Sequence, residues 1–393
     1  MMKILVVADG HYYKNKDGEY YVDSVFDYNF YKRYLSVFDD VYSIVRTIEV
    51  EEIPHFAKKA SGEKVHFLPI EDSVGAGQYY KNYYKTKSKI KEYIRRFDKA
   101  VFRVPGVTAN EVYSAWDKHK PYALEVVVDP WEYFAPGTIK SFVRPFVRVF
   151  WTNELKRMCR KAPAVSYVTE KYLQNHYPCQ ALKGKKGFVT SYYSSVELPD
   201  EGFAKPKEYR EKNEFVISHV AASFATYGKG HITLMKALRI VLDRGFAVKV
   251  KFIGDGPLKN EFENFAETLK IRDNVLFTGL LPSGEAVKEV IRSSDLFVFP
   301  TMAEGLPRVV LEAMSEGLPV ISSPVCGIPE IVQKNCLVEY NDYNGYAEKI
   351  MYLLSNPYLM SELSKDNILT ALKYKRSVLE KKRKQFYLVL REM

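Results

Sequence analysis

The chain has 393 residues, of which 47% are hydrophobic, 14% aromatic and 27% charged, with a formal net charge of +10. That is the make-up of a globular protein, and at roughly 150 residues per domain it calls for two or three domains. A disordered chain, a collagen-like repeat and a disulfide-stapled mini-protein are excluded. No apolar run approaches the roughly 18 to 20 residues of a bilayer span, and the first one, Ile4 to Ala8, stops at Asp9, too short for a secretory leader. The expectation is a cytoplasmic protein, with the inner face of the plasma membrane as its place of any lipid contact. Cys159, Cys179, Cys326 and Cys336 have no C-x-x-C spacing, so neither a zinc site nor a disulfide framework is expected. Residues 1–200 hold 31 basic and 24 acidic groups, residues 201–350 hold 18 and 20, and residues 351–393 hold 9 and 4, which puts the positive excess at the two ends.

In chain order, short β-branched runs alternate with loops containing Gly, Asp or Pro and with helical patterns, the sign of parallel sheets covered by helices. Strands are predicted at Lys3–Ala8, Val41–Val45, Val65–Leu68, Ala100–Val104, Tyr122–Val128 and Ala164–Val168, with helices near Val25–Val37, Tyr80–Phe97 and Ile139–Cys159. A polar, charge-dense linker over residues 201–213 follows. The series then resumes with strands at Phe215–Val220, Ala247–Ile253, Asn274–Thr278, Leu296–Phe299, Pro319–Ile321 and Leu337–Glu339, and helices near Ile232–Asp243, Leu258–Lys270, Gly284–Arg292, Arg308–Ser315 and Tyr343–Ser355. Two doubly wound α/β domains are expected, an N-terminal one over 1–200 and a C-terminal one over 214–357, with a basic helical tail over 358–393. Ligands of such sheets bind beyond the carboxyl ends of the strands, so two such domains face to face would bind theirs in the cleft between them.

The most informative stretch runs from Asp295 to Val332. A buried strand ends at Pro300, a loop with Glu304 and Gly305 follows, Pro307 sits where a first helical residue would, and Gly317 and Pro319 stop the helix. A Gly-containing loop feeding a helix start offers free N–H groups and the positive end of the helix dipole, which suits a phosphate. Glu312 follows Glu304 by about two helical turns, so both carboxylates can point to one side and accept hydrogen bonds from vicinal hydroxyls. After the first strand of this half, Lys229 stands between Gly228 and Gly230 at another helix start, in reach of the same phosphate.

The composite of Glu304-Gly305, Leu311 to Met314, Gly317 to Val320 and Gly327 to Val332 resembles the retaining nucleotide-sugar glycosyltransferases of the GT-B fold, family 4 (group 1) type. The resemblance spans residues 215–355 and is looser and mostly topological before them. It implies a GT-B architecture whose C-terminal tail crosses back to the first domain, with the acceptor on the first domain and a nucleoside-diphosphate sugar on the second. It further implies that Glu304 contacts the donor sugar, Glu312 the ribose and Lys229 the pyrophosphate, while the Gly305, Leu306, Pro307, Arg308 and Val309 segment holds phosphate through its amides. Gly230, Gly254 and Gly279 mark the turns of the donor site. Ser223-Phe224-Ala225 stands where an arginine is common, and Arg308 is the available substitute for its charge. No D-x-D motif occurs, so neither a metal nor any other cofactor is expected beside the sugar donor.

In the first half, Asp129 falls where relatives carry a His-Asp pair, with Val128 at the histidine position. Asp129 is placed with the catalytic set, the alternative being a cap on the following segment. Gly10, His11, Arg103 and Tyr192 are candidates for the acceptor side. Between Tyr79 and Lys99, Lys81, Lys85, Lys87, Lys89, Lys91, Arg95, Arg96 and Lys99 interleave with tyrosines, and Phe142 to Trp151 mixes arginines with large apolar groups. Both suit an anionic membrane surface or a lipid-linked saccharide acceptor, against the plainer reading of a solvated face and a core helix. Nucleic acid is not an expected partner, as no recognition motif accompanies the basic residues. The expected activity is transfer of a hexosyl group, with retention and without a metal, in synthesis of a cell-surface polysaccharide or glycolipid. A non-catalytic GT-B scaffold and a GT-B nucleotide-sugar epimerase are the alternatives. A dinucleotide oxidoreductase fails because Asp9-Gly10-His11-Tyr12-Tyr13, and not G-x-G-x-x-G, follows the first strand.

Overall fold

The structure, a computed structural model, describes residues 2–72, 75–137 and 141–393. The Lys81 side chain and Ile139, both part of the expectations above, lie outside the described residues. The first half folds as β1 (Lys3–Val7), β2 (His11–Lys14), β3 (Tyr20–Val22), α1 (Tyr28–Lys32), β4 (Asp40–Glu49), β5 (Lys58–Lys59), β6 (Val65–Glu71), α2 (Gly75–Ile94), β7 (Ala100–Val104), α3 (Val107–Ala115), β8 (Tyr122–Val126), α4 (Pro130–Tyr133), α5 (Arg144–Lys161), β9 (Ala164–Tyr167), α6 (Tyr172–His176) and β10 (Val189–Tyr192). The second half folds as β11 (Phe215–Ser223), α7 (His231–Asp243), β12 (Val248–Asp255), α8 (Lys259–Thr268), β13 (Val275–Phe277), α9 (Gly284–Arg292), β14 (Leu296–Phe299), α10 (Arg308–Ser315), β15 (Val320–Ser322), α11 (Tyr343–Leu354), α12 (Pro357–Leu372) and α13 (Arg376–Glu392).

The first sheet runs β10-β9-β8-β7-β1-β4, with β6 also on β4, and all of these pairs are parallel. Beyond β4 it is extended by β2, β3 and β5, of which the β2/β3 and β3/β5 pairs are antiparallel. This tyrosine-rich extension is absent from the sequence reading. The second sheet is all parallel in the order β13-β12-β11-β14-β15. Every residue of β8, β9, β14 and β15 is buried, as expected of strands covered on both faces, where apolar runs are continuous and not alternating. The segment expected as a strand at Leu337–Glu339 makes a single bridge from Leu337 to Ser322, and the helix expected over Val25–Val37 shortens to α1 and a following turn of 3-10 helix.

Alternation along β7 sorts the two faces of the first sheet. Phe102 packs edge-on against Tyr113 and Trp116 on the α3 side. Its neighbour Arg103 points the other way, over the Phe30 ring and onto Glu125 of β8 at 3.2 Å. Glu125 is buried and also accepts hydrogen bonds from Tyr34 (3.1 Å), Tyr193 (2.9 Å) and Tyr387 of α13 (2.7 Å). Burial alone would raise its pKa, but the Arg103 charge, the Tyr387 and Tyr193 hydroxyls and the Arg383 charge together hold it below the usual carboxylate range. This cluster, Arg103 included, fastens the last helix to the first domain. Lys99, at the end of the basic stretch that begins in α2, donates to the Leu390 carbonyl of α13 at 3.2 Å.

The expected tail divides. Helix α12 stays on the second domain, where Asn367 donates to the Leu318 carbonyl at 2.7 Å, and α13 alone crosses back. The expected linker is likewise pinned to the second domain: Ala204 N–H meets the Ser315 carbonyl, Lys207 N–H meets Ser364 Oγ, and the Tyr209 hydroxyl meets the Asp295 carbonyl. Burial lowers the Lys207 ammonium to about 8 while its Nζ donates to the carbonyls of Arg292 and Ser294.

Candidate active site

The site is assembled where β11 and β14 end side by side. Leaving β14, the chain passes Pro300 and Thr301 and reaches Glu304. Leaving β11, it makes a short 3-10 turn at Tyr227–Lys229 and enters α7 through Gly230. Gly230 has φ +81°, and a Cβ there would stand 1.7 Å from the Pro300 carbonyl oxygen, so only glycine lets the two loops lie this close. A hydrogen bond from Met302 N–H to the Gly228 carbonyl, 2.8 Å, ties them. Lys229 Nζ then meets Glu304 Oε1 at 2.5 Å, and Thr301 Oγ1 supports the same carboxylate at 3.3 Å. Both partners are partly exposed, so the pair is open to a ligand that competes for either charge.

Pro307 caps α10 in an extended conformation and Arg308 begins the helix. The first-turn amides, including those of Arg308 and Val309, have no intrahelical acceptor and point with the positive end of the helix toward the Glu304 loop. Glu312 lies one turn further in. Burial pushes its carboxyl pKa up, opposed by the charges of Arg308 and Lys288, and among the described residues no donor to its carboxylate is seen. Arg308 itself is exposed, while Leu306 and Pro307 are buried. Gly254 and Gly279 are joined by a hydrogen bond at the ends of β12 and β13; a Cβ on Gly254 would fall 1.8 Å from the Ala221 carbonyl oxygen, which makes it a close-packing glycine. In the Ser223-Phe224-Ala225 segment, where an arginine is common in the family, Phe224 is fully buried against Phe262 and His231. Among the described residues no group of three His, Cys, Asp or Glu side chains is placed to hold a metal ion.

Beneath Lys229 lie two buried imidazoles, His219 on β11 and His231 on α7, with ring centres 4.6 Å apart. Burial lowers both, His219 to about 4 and His231 to about 2, with the Lys229 charge acting in the same direction. The pair is therefore neutral and adds no charge to the site. Since both folded values lie under the ordinary one, the unfolded chain takes up protons first. The stability they contribute is full above about pH 6.5 and is lost as the pH falls below it, by on the order of 3 kcal/mol for His219 at pH 4. Thermal unfolding between about pH 7 and pH 4 should show this slope, and His231→Phe, which keeps the stack on Phe262, should flatten it; an identical slope in the variant would refute the assignment.

The second domain meets the first at this same loop. A Cβ on Gly305 would stand 2.1 Å from the Val127 carbonyl oxygen, just past β8, and one on Gly327 would stand 2.7 Å from Thr169 Cγ2. Glu330 reaches across and accepts from three amides of the first domain, those of Glu170 (2.6 Å), Lys171 (3.0 Å) and Tyr172 (2.6 Å). Sequence reasoning assigned Glu330 no role beyond its place in the motif.

On the first-domain side, the placement of Asp129 among catalytic groups is corrected. Asp129 is fully buried, caps α4 through the Trp131 amide at 2.8 Å, and accepts from Tyr172 OH at 2.8 Å and from Tyr177 OH. Buried and held by three donors, it positions α4 and is shielded from an acceptor in the cleft. Tyr192 lies under the Lys382 ammonium of α13, 3.5 Å from the ring centre, and so faces the returning helix. His11 holds Asp72 at 2.9 Å on β2, partly exposed, and Gly10 adjoins the Tyr12 and Phe26 rings. Asp9 at the end of β1 accepts from Arg46 (2.6 Å), Val107 N–H and Thr108 Oγ1, both 2.9 Å, and so binds the start of α3 to the sheet. Of the acceptor candidates, Gly10 and His11 are left at the strand ends.

Residues 201–369 match the family model of the glycosyl transferases group 1. They form a group 1 glycosyltransferase domain. Over the whole length the chain is 28% identical to Protein CapJ of Staphylococcus aureus across 372 residues, covering 94% of this chain and 89% of that one. Among solved structures it is similar to WaaG, a glycosyltransferase involved in lipopolysaccharide biosynthesis, with a TM-score of 0.63, 15% identity and coverage of 97% and 98% of the two chains. It is also similar to a variant of S. aureus TarM solved with UDP, with a TM-score of 0.59 and 16% identity, covering 77% of this chain and spanning 59% of TarM. These likenesses establish the fold, a GT-B architecture of two Rossmann-like domains, and the group 1 domain supplies the Lys229, Glu304 and Glu312 constellation.

Proposed function

We propose that the protein is a retaining glycosyltransferase that moves a sugar from a nucleoside-diphosphate donor to a saccharide or lipid-linked saccharide acceptor in assembly of a cell-surface polysaccharide or glycolipid. The observation behind this reading is the Lys229–Glu304 pair at the mouth of α10, with Glu312 one turn inside it. A diphosphate entering between Lys229 and the first amides of α10 takes the ammonium from Glu304 and frees that carboxylate to accept hydrogen bonds from the sugar hydroxyls. Glu312, kept from other donors, accepts from the ribose. That a TarM variant was solved with UDP and that WaaG is named for lipopolysaccharide biosynthesis support the donor class and the cell-surface setting.

In the transfer itself the bond from the anomeric carbon to the phosphate oxygen breaks and a bond to the acceptor oxygen forms on the same face. The acceptor proton passes to the departing phosphate, a role that the occupied Asp129 carboxylate does not fill. Lys229 and the α10 dipole stabilise the charge that gathers on the leaving diphosphate. The absence of an arginine in Ser223-Phe224-Ala225 favours one second reading, a binding subunit without turnover.

A thermal-shift series with uridine, guanosine, adenosine and thymidine diphosphates and their sugar conjugates tests the assignment. One nucleotide family should raise Tm by mass action, and Lys229→Ala and Glu312→Ala should each abolish the shift. Release of nucleoside diphosphate on adding an acceptor separates enzyme from binding subunit. No shift with any nucleotide would overturn the donor site.

A further inference from the structure

The first half of α5 is turned inside out. Phe146, Val149 and Phe150, with Phe142 one turn before them, recur at spacings of three and four residues and so share one helix face. Such a stripe in a globular protein faces the core. Here it faces solvent: Phe142 is 91% exposed, Phe146 78% and Phe150 63%. The arginines between them do the opposite. Arg144 donates to the Phe134 carbonyl at 2.8 Å, and Arg148 donates to the Trp131 carbonyl at 2.6 Å with its guanidinium 3.8 Å over the Trp131 ring. The cations thus clamp α4 while the phenylalanines are presented outward. The second half of the same helix is ordinary, burying Thr152, Leu155, Met158 and Cys159.

The border of the stripe is basic. A groove with a cavity of about 380 Å³ runs between α2, α3 and α5, and Phe150 and Trp151 line it together with Lys87 and Lys91 of α2. Two acids, Glu111 of α3 and Glu154 of α5, line the groove as well; Glu154 is paired with Arg157, whereas among the described residues neither Lys91 nor Arg95 has an ion-pair partner. No described helix is long and apolar enough to cross a membrane, so contact with lipid at this face is contact with the surface only.

We propose that this face, the outer stripe of α5 with Trp131 and Tyr133 of α4 beside it, docks the protein on an anionic lipid bilayer. Aromatic groups enter the interface while Lys87 and Lys91 meet the headgroup charge, the two signals that together hold a peripheral protein on such a surface. A second copy of the chain fits less well, because a self-complementary pairing would bring the two basic borders together. Asp129, the cap of α4, lies next to the point where Gly305 touches Val127, so the docked face adjoins the cleft and a lipid-linked molecule in the bilayer would be presented beside it.

The full chain should co-sediment with vesicles of phosphatidylglycerol and phosphatidylethanolamine and bind about tenfold or more weakly to phosphatidylcholine vesicles. The double variant Phe146→Asp, Phe150→Asp should lose vesicle binding and keep the nucleotide-induced thermal shift of the parent. Lys87→Glu, Lys91→Glu should weaken binding and its salt dependence together. The proposal is overturned if the parent stays in the supernatant with anionic vesicles or if the double aspartate variant pellets like the parent. It is also overturned if sedimentation analysis shows a dimer that the double variant splits, which assigns the stripe to a second copy. The vesicle and sedimentation outcomes do not depend on the sugar-transfer reading, which the nucleotide-induced shift reports separately.

Discussion

Lys229→Ala is expected to lower turnover by about a hundredfold to a thousandfold, the usual cost of removing one preorganised group from a developing negative charge. The effect should fall on the chemical step more than on folding, because the Lys229 side chain is about one-third exposed and its ion pair with Glu304 contributes little stability at a solvated surface. The measurement is release of nucleoside diphosphate under saturating donor, beside Tm of the unliganded protein. Lys229→Arg, which keeps the charge but replaces the compact ammonium by a longer planar fork, should recover only part of the loss. Turnover within threefold of the parent in Lys229→Ala would remove the lysine from the mechanism.

Glu125→Ala is expected to destabilise the first domain by about 3–5 kcal/mol, since it leaves the Arg103 and Arg383 charges and three tyrosine hydroxyls without their shared acceptor in a buried place. A drop in Tm of about 10 °C follows for a domain of this size. Glu125→Gln should lie between, accepting from the tyrosines without balancing the guanidinium groups. The folded carboxyl is held below its ordinary range, so its contribution is present above that range and is lost as the pH falls through it toward the lowered value. Limited proteolysis should release α13 from the alanine variant first, while the nucleotide-induced shift of the second domain persists. An unchanged Tm in the alanine variant would mean that packing of Phe386 and Leu390, not the polar cluster, holds the helix.

What the sequence disclosed and what it withheld follow the range of the interactions involved. The second half was legible because its strands are short buried runs and its site residues sit at strand ends and helix starts within one motif: Lys229 and Glu304 are 75 residues apart, yet each is marked by its own glycine. In the first half the decisive contacts are distant and unmarked. Asp129 reads equally as an acceptor ligand or a cap until Tyr172 and Tyr177, more than 40 residues on, are seen to occupy it. Arg103 reads as a strand-end residue until Tyr387 brings α13 over Glu125. A signal was present there: a glutamate in the middle of the otherwise apolar Tyr122–Val126 requires a buried partner. The β2–β3 hairpin was signalled too, since Asp17-Gly18 between two tyrosine-rich runs is a hairpin turn and Gly18 has φ +78°. Glu330 carries no such mark, because its partners are bare backbone amides on the other domain, which any sequence supplies.

The return of α13 makes the first domain discontinuous along the chain, with the whole second domain inserted between β10 and its last helix. On the ribosome, residues 1–200 emerge first but hold Glu125 and its arginine without the Tyr387 hydroxyl, which arrives only with the final turns of the chain. The inserted domain has all of its strands and helices by Leu372 and can close its core before that. The half of the molecule that is synthesised first is therefore the half that is finished last, and a stop codon anywhere in the last helix leaves the second domain whole and its partner incomplete.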